Sequence, residues 1–133
     1  MKIEEHIKHW IDGADHDWET VVSLYSSEKY DWCLFVAHLV LEKLLKALFV
    51  QDNNNQFPPK THNLIKLAKH TNLIFSDDRE ILLDEINDFN LEARYPQFKN
   101  EFHKKCDKDF TDNYYYKIEE MMKWLRSHLK QEG

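Results

Sequence analysis

The sequence predicts an all-α protein: a single domain, residues 1–133, folded as an up-down bundle of four to five helices. Two observations predict this fold class. The chain has only 2 glycines and 3 prolines, too few for the turns of a many-stranded sheet or barrel. Its apolar residues instead recur every three or four positions along several long segments. With 133 residues and 42% hydrophobic content, one sizeable core is expected.

The first two predicted helices cover residues 3–26 and about 30–51. The first has one apolar face. Gly13 lies within it, which indicates a close approach by a neighbouring helix, a slight bend, or simple tolerance. The polar run SSEKYD separates the two helices. The second ends in QDNNN, where asparagines are typical of a frayed end and a loop.

Three further helices are predicted in the second half of the chain. A diproline cannot lie inside a helix, and after it Thr61 is expected to cap a short third helix. Ser76 is expected to cap a fourth helix, which Pro96 ends. Residues 97–110 are charged and weakly patterned, so we expect an irregular or partly helical connection there. Thr111 is then expected to cap the last helix.

Composition and charge bound the functional class. A formal net charge of -6 and a pI near 5.7 argue against a general affinity for nucleic-acid backbones, so any such contact must be local. Cys33 and Cys106 are spaced like neither a disulfide framework nor a metal knuckle, which favours a reducing cytoplasm. The start MKIEEHIKHW is unlike a signal peptide, and no apolar run is long enough for a membrane span. We therefore expect a cytoplasmic protein with no membrane partner.

The most apolar segment, AHLVLEKLLKALF, carries three ionisable side chains along one line. His38, Glu42 and Lys46 follow one another at intervals of four residues, so they fall within about 80 degrees of each other on a helix. We call these three residues the polar seam. Burying an unpaired charge is costly, so the seam must face water or meet partners. One interpretation is a self-satisfied stripe on a half-exposed face, in which Glu42 pairs with Lys46 and accepts from His38.

A second interpretation adds residues from two segments in which proline fixes the backbone, PPKTHNL and EARYP. They contribute Lys60, His62, Arg94 and Tyr95. Arginine grips phosphate with its planar fork, lysine adds charge, and tyrosine can stack on a base. Together the side chains would form a nucleotide-sized site of seven residues: His38, Glu42, Lys46, Lys60, His62, Arg94 and Tyr95.

Three motifs in this order, AHLVLEKLLKALF, PPKTHNLIKLA and ARYPQF, resemble the HEPN domain (higher eukaryotes and prokaryotes nucleotide-binding). The resemblance also takes in the opening A-x3-W and the closing IEEMMKWLR, so it spans nearly the whole chain. It implies a bundle of about four or five helices that often dimerises and that binds nucleotides or RNA. It further implies work with a minimal nucleotidyltransferase, in many cases as toxin and antitoxin.

Toxin members of that family are metal-independent endoribonucleases in which four to six residues separate an arginine from a histidine. The arginine stabilises the charged phosphorane and the histidine moves a proton. Here eight residues separate Arg94 from His103, and Pro96 argues against one continuous helix joining them. Arg126 has His128 only two positions on, on another helix face. This departure favours a non-catalytic binding domain and leaves Arg94 and His103 as the catalytic candidates.

Two other clusters favour an ordinary surface. Four side chains on the first helix invite a metal-site interpretation: His6, His9, Asp12 and His16. No carboxylate–histidine pair elsewhere completes a first shell, and exposed histidines are ordinary, so neither a metal nor a cofactor is expected. Four lysines lie beyond Pro96: Lys99, Lys104, Lys105 and Lys108. Acidic residues are interleaved with them, which favours a solvated surface over an RNA track.

Three functions follow from these patterns. The leading hypothesis is a HEPN-like bundle that binds a nucleotide or an RNA end at the seven-residue site, together with a nucleotidyltransferase. In it Arg94 and Lys46 would hold phosphate, Glu42 would orient Arg94 or His38, and Tyr95 would offer a stacking face. The second is a dimerising interaction scaffold whose seam pairs internally and which caps a partner protein. The third is an active endoribonuclease with a stretched Arg94 and His103 motif.

Overall fold

The computed structural model describes residues 1–130, and this part of the chain is an all-α bundle, as the sequence predicts. Its helices are α1 (Ile3–Ser26), α2 (Tyr30–Asp52), α3 (Leu64–Lys69), α4 (Asp77–Arg94), α5 (Pro96–Lys105) and α6 (Lys108–Ser127). Residues 1–130 contain no strand. The six helices are one more than the upper end of the predicted four to five, because the segment that begins at Pro96 is a regular helix.

The central element is α2, which packs against the other five helices. It is apolar on nearly all sides, and a helix of that kind is stable only when neighbours surround it. The polar seam is therefore buried: the exposed fractions are 0% for His38, 4% for Glu42 and 7% for Lys46. The expectation of a half-exposed stripe is wrong. Within residues 1–130, no helix is both long and apolar enough to cross a membrane.

Gly13 marks a close approach between α1 and α2. A Cβ atom added at Gly13 would lie 3.2 Å from Cδ of Lys43, a side chain of α2. Lys43 crosses α1 at this point, and its Nζ lies 2.6 Å from Oδ2 of Asp17. Of the three sequence interpretations of this glycine, the close approach is the one that the structure supports.

The connection between α2 and α4 differs in detail from the prediction. Asn63, rather than Thr61, caps α3, since its side chain accepts from the Lys66 N–H. The Thr61 hydroxyl instead accepts from the Asn63 N–H at 3.1 Å, a local turn that precedes the cap. Ser76 caps α4 as predicted, with its hydroxyl 3.3 Å from the Arg79 nitrogen.

The segment 97–110 is mostly helical, so the partly helical alternative of the expected connection is the correct one. Proline is favoured in the first turn of a helix, because the N–H it lacks has no intrahelical partner there. Pro96 therefore starts α5 as well as ending the preceding helix. Asp107 caps α6 by accepting from the Phe110 N–H at 2.9 Å, so the expected cap, Thr111, lies buried inside that helix.

Candidate functional site

The carboxylate of Glu42 is the centre of the polar seam. Lys46 Nζ donates to its Oε2 at 3.0 Å, and His62 Nδ1 donates to its Oε1 at 2.8 Å, since a carboxylate can only accept. Two donors compensate a buried charge for the water it loses. The seam is therefore paired, as the first interpretation requires, but it also has a partner in the loop before α3.

His38 is a neutral hydrogen-bond donor one turn before Glu42. Its Nε2 lies 2.8 Å from the His62 carbonyl oxygen, which can only accept, so Nε2 carries the proton. Its Nδ1 faces the Asn90 amide at 3.5 Å and lies 3.8 Å from Glu42 Oε1. The expected donation from His38 to Glu42 is therefore not made. Burial lowers the pKa of His38 to about 4, which keeps the ring uncharged at neutral pH.

His62 is the exposed member of the network. Two residues of α2 hold His62 in place: Glu42 accepts from its Nδ1, and His38 donates to its carbonyl oxygen. Asn87 of α4 fixes the next part of the loop by accepting from the Leu64 N–H at 2.8 Å. The His62 side chain is 56% exposed, and within residues 1–130 its Nε2 has no partner. An oriented imidazole nitrogen is thus left available to a ligand.

Arg94 ends α4 and joins the seam through Asn90. Its Nε donates to the Asn90 carbonyl oxygen at 3.2 Å, while the Asn90 amide faces His38. The positive charge of Arg94 adds a smaller contribution to the lowered pKa of His38, whose main cause is burial. The guanidinium is exposed and makes no ion pair within the described chain.

Lys46 is engaged inside the protein. Besides donating to Glu42, its Nζ lies 5.1 Å from the centroid of the Trp10 ring, a cation–π distance. With its ammonium held between a carboxylate and an aromatic ring, Lys46 is poorly placed to hold a phosphate as well. Its position instead suits it to fix Glu42.

The remaining two predicted site residues lie on the surface. Lys60 is exposed two positions before His62, and no hydrogen bond or ion pair ties it to residues 1–130. Tyr95 is 44% exposed, between α4 and α5, with its ring centroid 5.7 Å from Cζ of Arg94. The structure thus joins four predicted residues by direct contact and a fifth through Asn90, and it leaves two as exposed neighbours: Lys60 and Tyr95.

Sequence reasoning missed Asn90. The residue is 4% exposed, and it connects His38 to Arg94 through its side chain and its carbonyl oxygen. The available signal was a polar residue on the apolar face formed by Ile86 and Ala93, one turn before the arginine.

The catalytic candidates Arg94 and His103 are not joined by any contact in the described chain. They belong to two helices, because α4 ends before Pro96 and α5 begins there, as the proline predicts. His103 Nδ1 instead lies 3.4 Å from Oδ2 of Asp31, in the first turn of α2. The geometry therefore gives His103 a structural partner on another helix.

The predicted surface clusters contain one buried member. His6 is 2% exposed, against the expectation, and its Nδ1 lies 2.9 Å from the side-chain oxygen of Asn55. Its ring also packs on Phe57, with centroids 4.8 Å apart. In residues 1–130 no three His, Cys, Asp or Glu side chains are grouped so as to hold a metal ion.

Comparison with known proteins gives one finding that covers most of the chain. A family model described as "HEPN domain" matches residues 7–128. Every residue of the polar seam and of the loop and helix end around it lies within this range. Comparison with curated proteins and with solved structures gives no match.

Proposed function

Because the chain belongs to the HEPN domain family, we propose that it binds a nucleotide, or the phosphate end of an RNA, beside the polar seam. The observation that carries this proposal is the presentation of His62: an exposed imidazole whose orientation is set by Glu42 and His38. An exposed guanidinium without an ion pair, that of Arg94, lies on the other side of His38. A free guanidinium is a group that grips phosphate in proteins.

The site divides into buried residues that position and exposed residues that bind. His38, Glu42 and Lys46 are at most 7% exposed and satisfy one another or His62, so they hold the loop in place. The ligand would contact the exposed residues of the site. Arg94 would form paired hydrogen bonds to phosphate, the His62 Nε2 would accept from a ribose hydroxyl, Lys60 would add charge, and Tyr95 would stack on a base.

Replacement of Arg94 tests the site. Arg94→Ala should weaken binding of ATP, or of a short 5′-phosphorylated RNA, by at least about tenfold, since a charge-assisted contact to phosphate is lost. Arg94→Lys should recover only part of the affinity, because lysine keeps the charge and loses the fork. Titration calorimetry or fluorescence anisotropy measures the affinity, and circular dichroism checks the helicity.

Lys123→Ala is the matched control, because Lys123 is an exposed cation on α6 outside the site. Its affinity for both ligands should equal that of the unmodified protein. Equal affinity in Arg94→Ala would overturn the site assignment.

We also propose that the domain dimerises and works with a minimal nucleotidyltransferase, as one half of a toxin–antitoxin pair. Family membership supports this proposal. Co-expression with the protein of the adjacent reading frame, followed by size-exclusion chromatography with light scattering, should give a stable complex. A chain that stays alone in this experiment contradicts the partnership.

One observation favours the interaction scaffold as a second candidate function: Glu42 and Lys46 pair with each other, so the seam needs no ligand charge to be satisfied. A scaffold predicts that the partner complex forms equally well with and without nucleotide. It also predicts that Arg94→Ala leaves the complex intact.

A further inference from the structure

His62 presents a nucleophilic nitrogen at the surface of the protein. Its Nδ1 donates to the buried carboxylate of Glu42 at 2.8 Å, and more than half of its side chain is exposed. A neutral imidazole that carries its proton on Nδ1 has its free lone pair on Nε2. The ring nitrogen that a reagent in solution can reach is therefore the one that can form a new bond.

The Glu42 carboxylate is placed to stabilise the product of such a bond. When Nε2 attacks an electrophile, both ring nitrogens become substituted and the ring acquires a positive charge. Glu42 then faces this cation across the hydrogen bond that already exists. Hydrogen bonds between ionised groups are stronger than neutral ones, and burial of the carboxylate strengthens them further. Glu42 thus favours reaction at His62 in the manner of a group that activates a nucleophile.

The backbone around His62 is fixed before any reagent arrives. His38 Nε2 donates to the His62 carbonyl oxygen at 2.8 Å, and the Leu64 N–H donates to the side-chain oxygen of Asn87 at 2.8 Å. Because these contacts and the one to Glu42 already orient the imidazole, little freedom of rotation is lost when it reacts.

Two other exposed histidines allow a comparison within the same molecule. His103 Nδ1 lies 3.4 Å from Oδ2 of Asp31, beyond the usual range of a hydrogen bond. His16 lies exposed on α1, and within residues 1–130 no carboxylate contacts its ring. Of these three exposed histidines, only His62 has a carboxylate at hydrogen-bond distance.

A cation near His62 favours an electrophile that carries negative charge. Lys60 is exposed two positions before His62, and in the described part of the chain no hydrogen bond or ion pair engages it. The Cα atoms of two such residues are at most about 7 Å apart, so the flexible lysine side chain can extend to the imidazole. Since the whole chain has a net charge of -6 and repels anions, a local cation matters for their approach.

We propose that His62 Nε2 is a phosphorylation site, to which a donor of the phosphoramidate class transfers its phosphoryl group. The Nε2 lone pair forms a bond to phosphorus, the P–N bond of the donor breaks, and the amine leaves with the electron pair. The Nδ1 proton stays in the hydrogen bond to Glu42, whose charge balances that of the ring. This inference goes beyond the proposed function, because it requires no nucleotide to bind.

Incubation of the protein with potassium phosphoramidate at neutral pH tests the proposal. Tandem mass spectrometry without acid, which would hydrolyse phosphohistidine, measures the initial rate at each histidine. His62 should react at least about tenfold faster than His16 and His103, since a charge-assisted hydrogen bond favours the product. Nitrogen-15 NMR should place the phosphoryl group on Nε2. In concentrated urea the three rates should become equal, because unfolding separates His62 from Glu42.

Two substitutions separate the contributions of the neighbouring charges. Glu42→Gln keeps an oxygen that can accept from Nδ1 but lacks the charge, so it should slow the reaction at His62 about tenfold. Lys60→Gln should slow phosphorylation of His62 but leave its reaction with diethyl pyrocarbonate, an uncharged electrophile, unchanged. Lys69→Gln is the matched control, an exposed lysine on α3, and it should change neither rate.

A His62 rate in the folded protein no higher than those of His16 and His103 would overturn the proposal, and so would a phosphoryl group on Nδ1. An unchanged rate in Glu42→Gln that circular dichroism shows to be folded would also overturn it. If that variant does not fold, the comparison of histidines in the unmodified protein, with and without urea, decides. Binding of ATP is measured separately, so either result leaves the proposed function to its own test.

Discussion

At the scale of single residues, neither Glu42 nor Lys46 would be stable in its position alone. Each is at most 7% exposed, and an isolated charge at that depth loses its hydration with no hydrogen bond to replace it. The hydrogen bond of 3.0 Å between Lys46 and Glu42, together with the second donor from His62, replaces the lost hydration. The pair is therefore expected to be costly to break and less costly to remove as a whole.

Glu42→Gln tests this expectation. The amide keeps the shape of the side chain but removes its charge, so the Lys46 ammonium is left buried without a carboxylate partner. It also places an N–H₂ group where the carboxylate accepted from one of its two donors. We expect a loss of about 3–5 kcal/mol in the free energy of unfolding, measured by urea denaturation. The double variant Glu42→Gln with Lys46→Met should recover part of that loss.

Glu120→Gln is the control for this series, because Glu120 is an exposed glutamate on α6. Its free energy of unfolding should stay within about 0.5 kcal/mol of the unmodified protein. A Glu42→Gln variant as stable as this control would show that the buried pair contributes nothing.

At the scale of helices, the local sequence pattern predicted the bounds of the long helices. It failed where a contact with a segment far away in sequence determines the helix cap. The bounds of α1 and α2 agree with the prediction to within one residue, because long apolar repeats fix them. The cap of α3 could not be read in the same way. Thr61 and Asn63 are both good caps, and Asn63 is also held by the Asn87 amide of α4 at 3.0 Å, a contact between segments far apart in sequence.

The candidate site shows the same division. The alignment of His38, Glu42 and Lys46 follows from helix periodicity alone. Their burial and the arrival of His62 depend on how the loop after the diproline folds back on α2, and no local pattern encodes that path. The sequence left the segment of α5 as irregular or partly helical, because Phe102 is its one buried residue, too little apolar surface to give a visible repeat.

At the scale of the whole molecule, the seam ties three parts of the fold together. His38 on α2 donates to the loop before α3 and faces the Asn90 amide of α4, and the second contact requires a neutral ring whose Nδ1 can accept. Protonation of Nδ1 would place its N–H against the N–H of the Asn90 amide. Burial is the main reason that the pKa of His38 falls to about 4, and the nearby Glu42 only partly offsets it.

This lowered pKa predicts a stability that falls in acid. An unfolded histidine has a pKa near 6.5, so between pH 6.5 and 4 the unfolded chain takes up a proton at residue 38 that the folded chain does not. The contribution of His38 is fully present above pH 6.5 and is lost as the pH falls to 4, by about 3 kcal/mol in total.

His38→Gln keeps a donor near the Nε2 position and cannot titrate, so its urea-unfolding free energy should decline less between pH 7 and 4. His16→Gln, on the exposed part of α1, should decline like the unmodified protein. Parallel declines in His38→Gln and the unmodified protein would contradict the assignment of this acid sensitivity to His38.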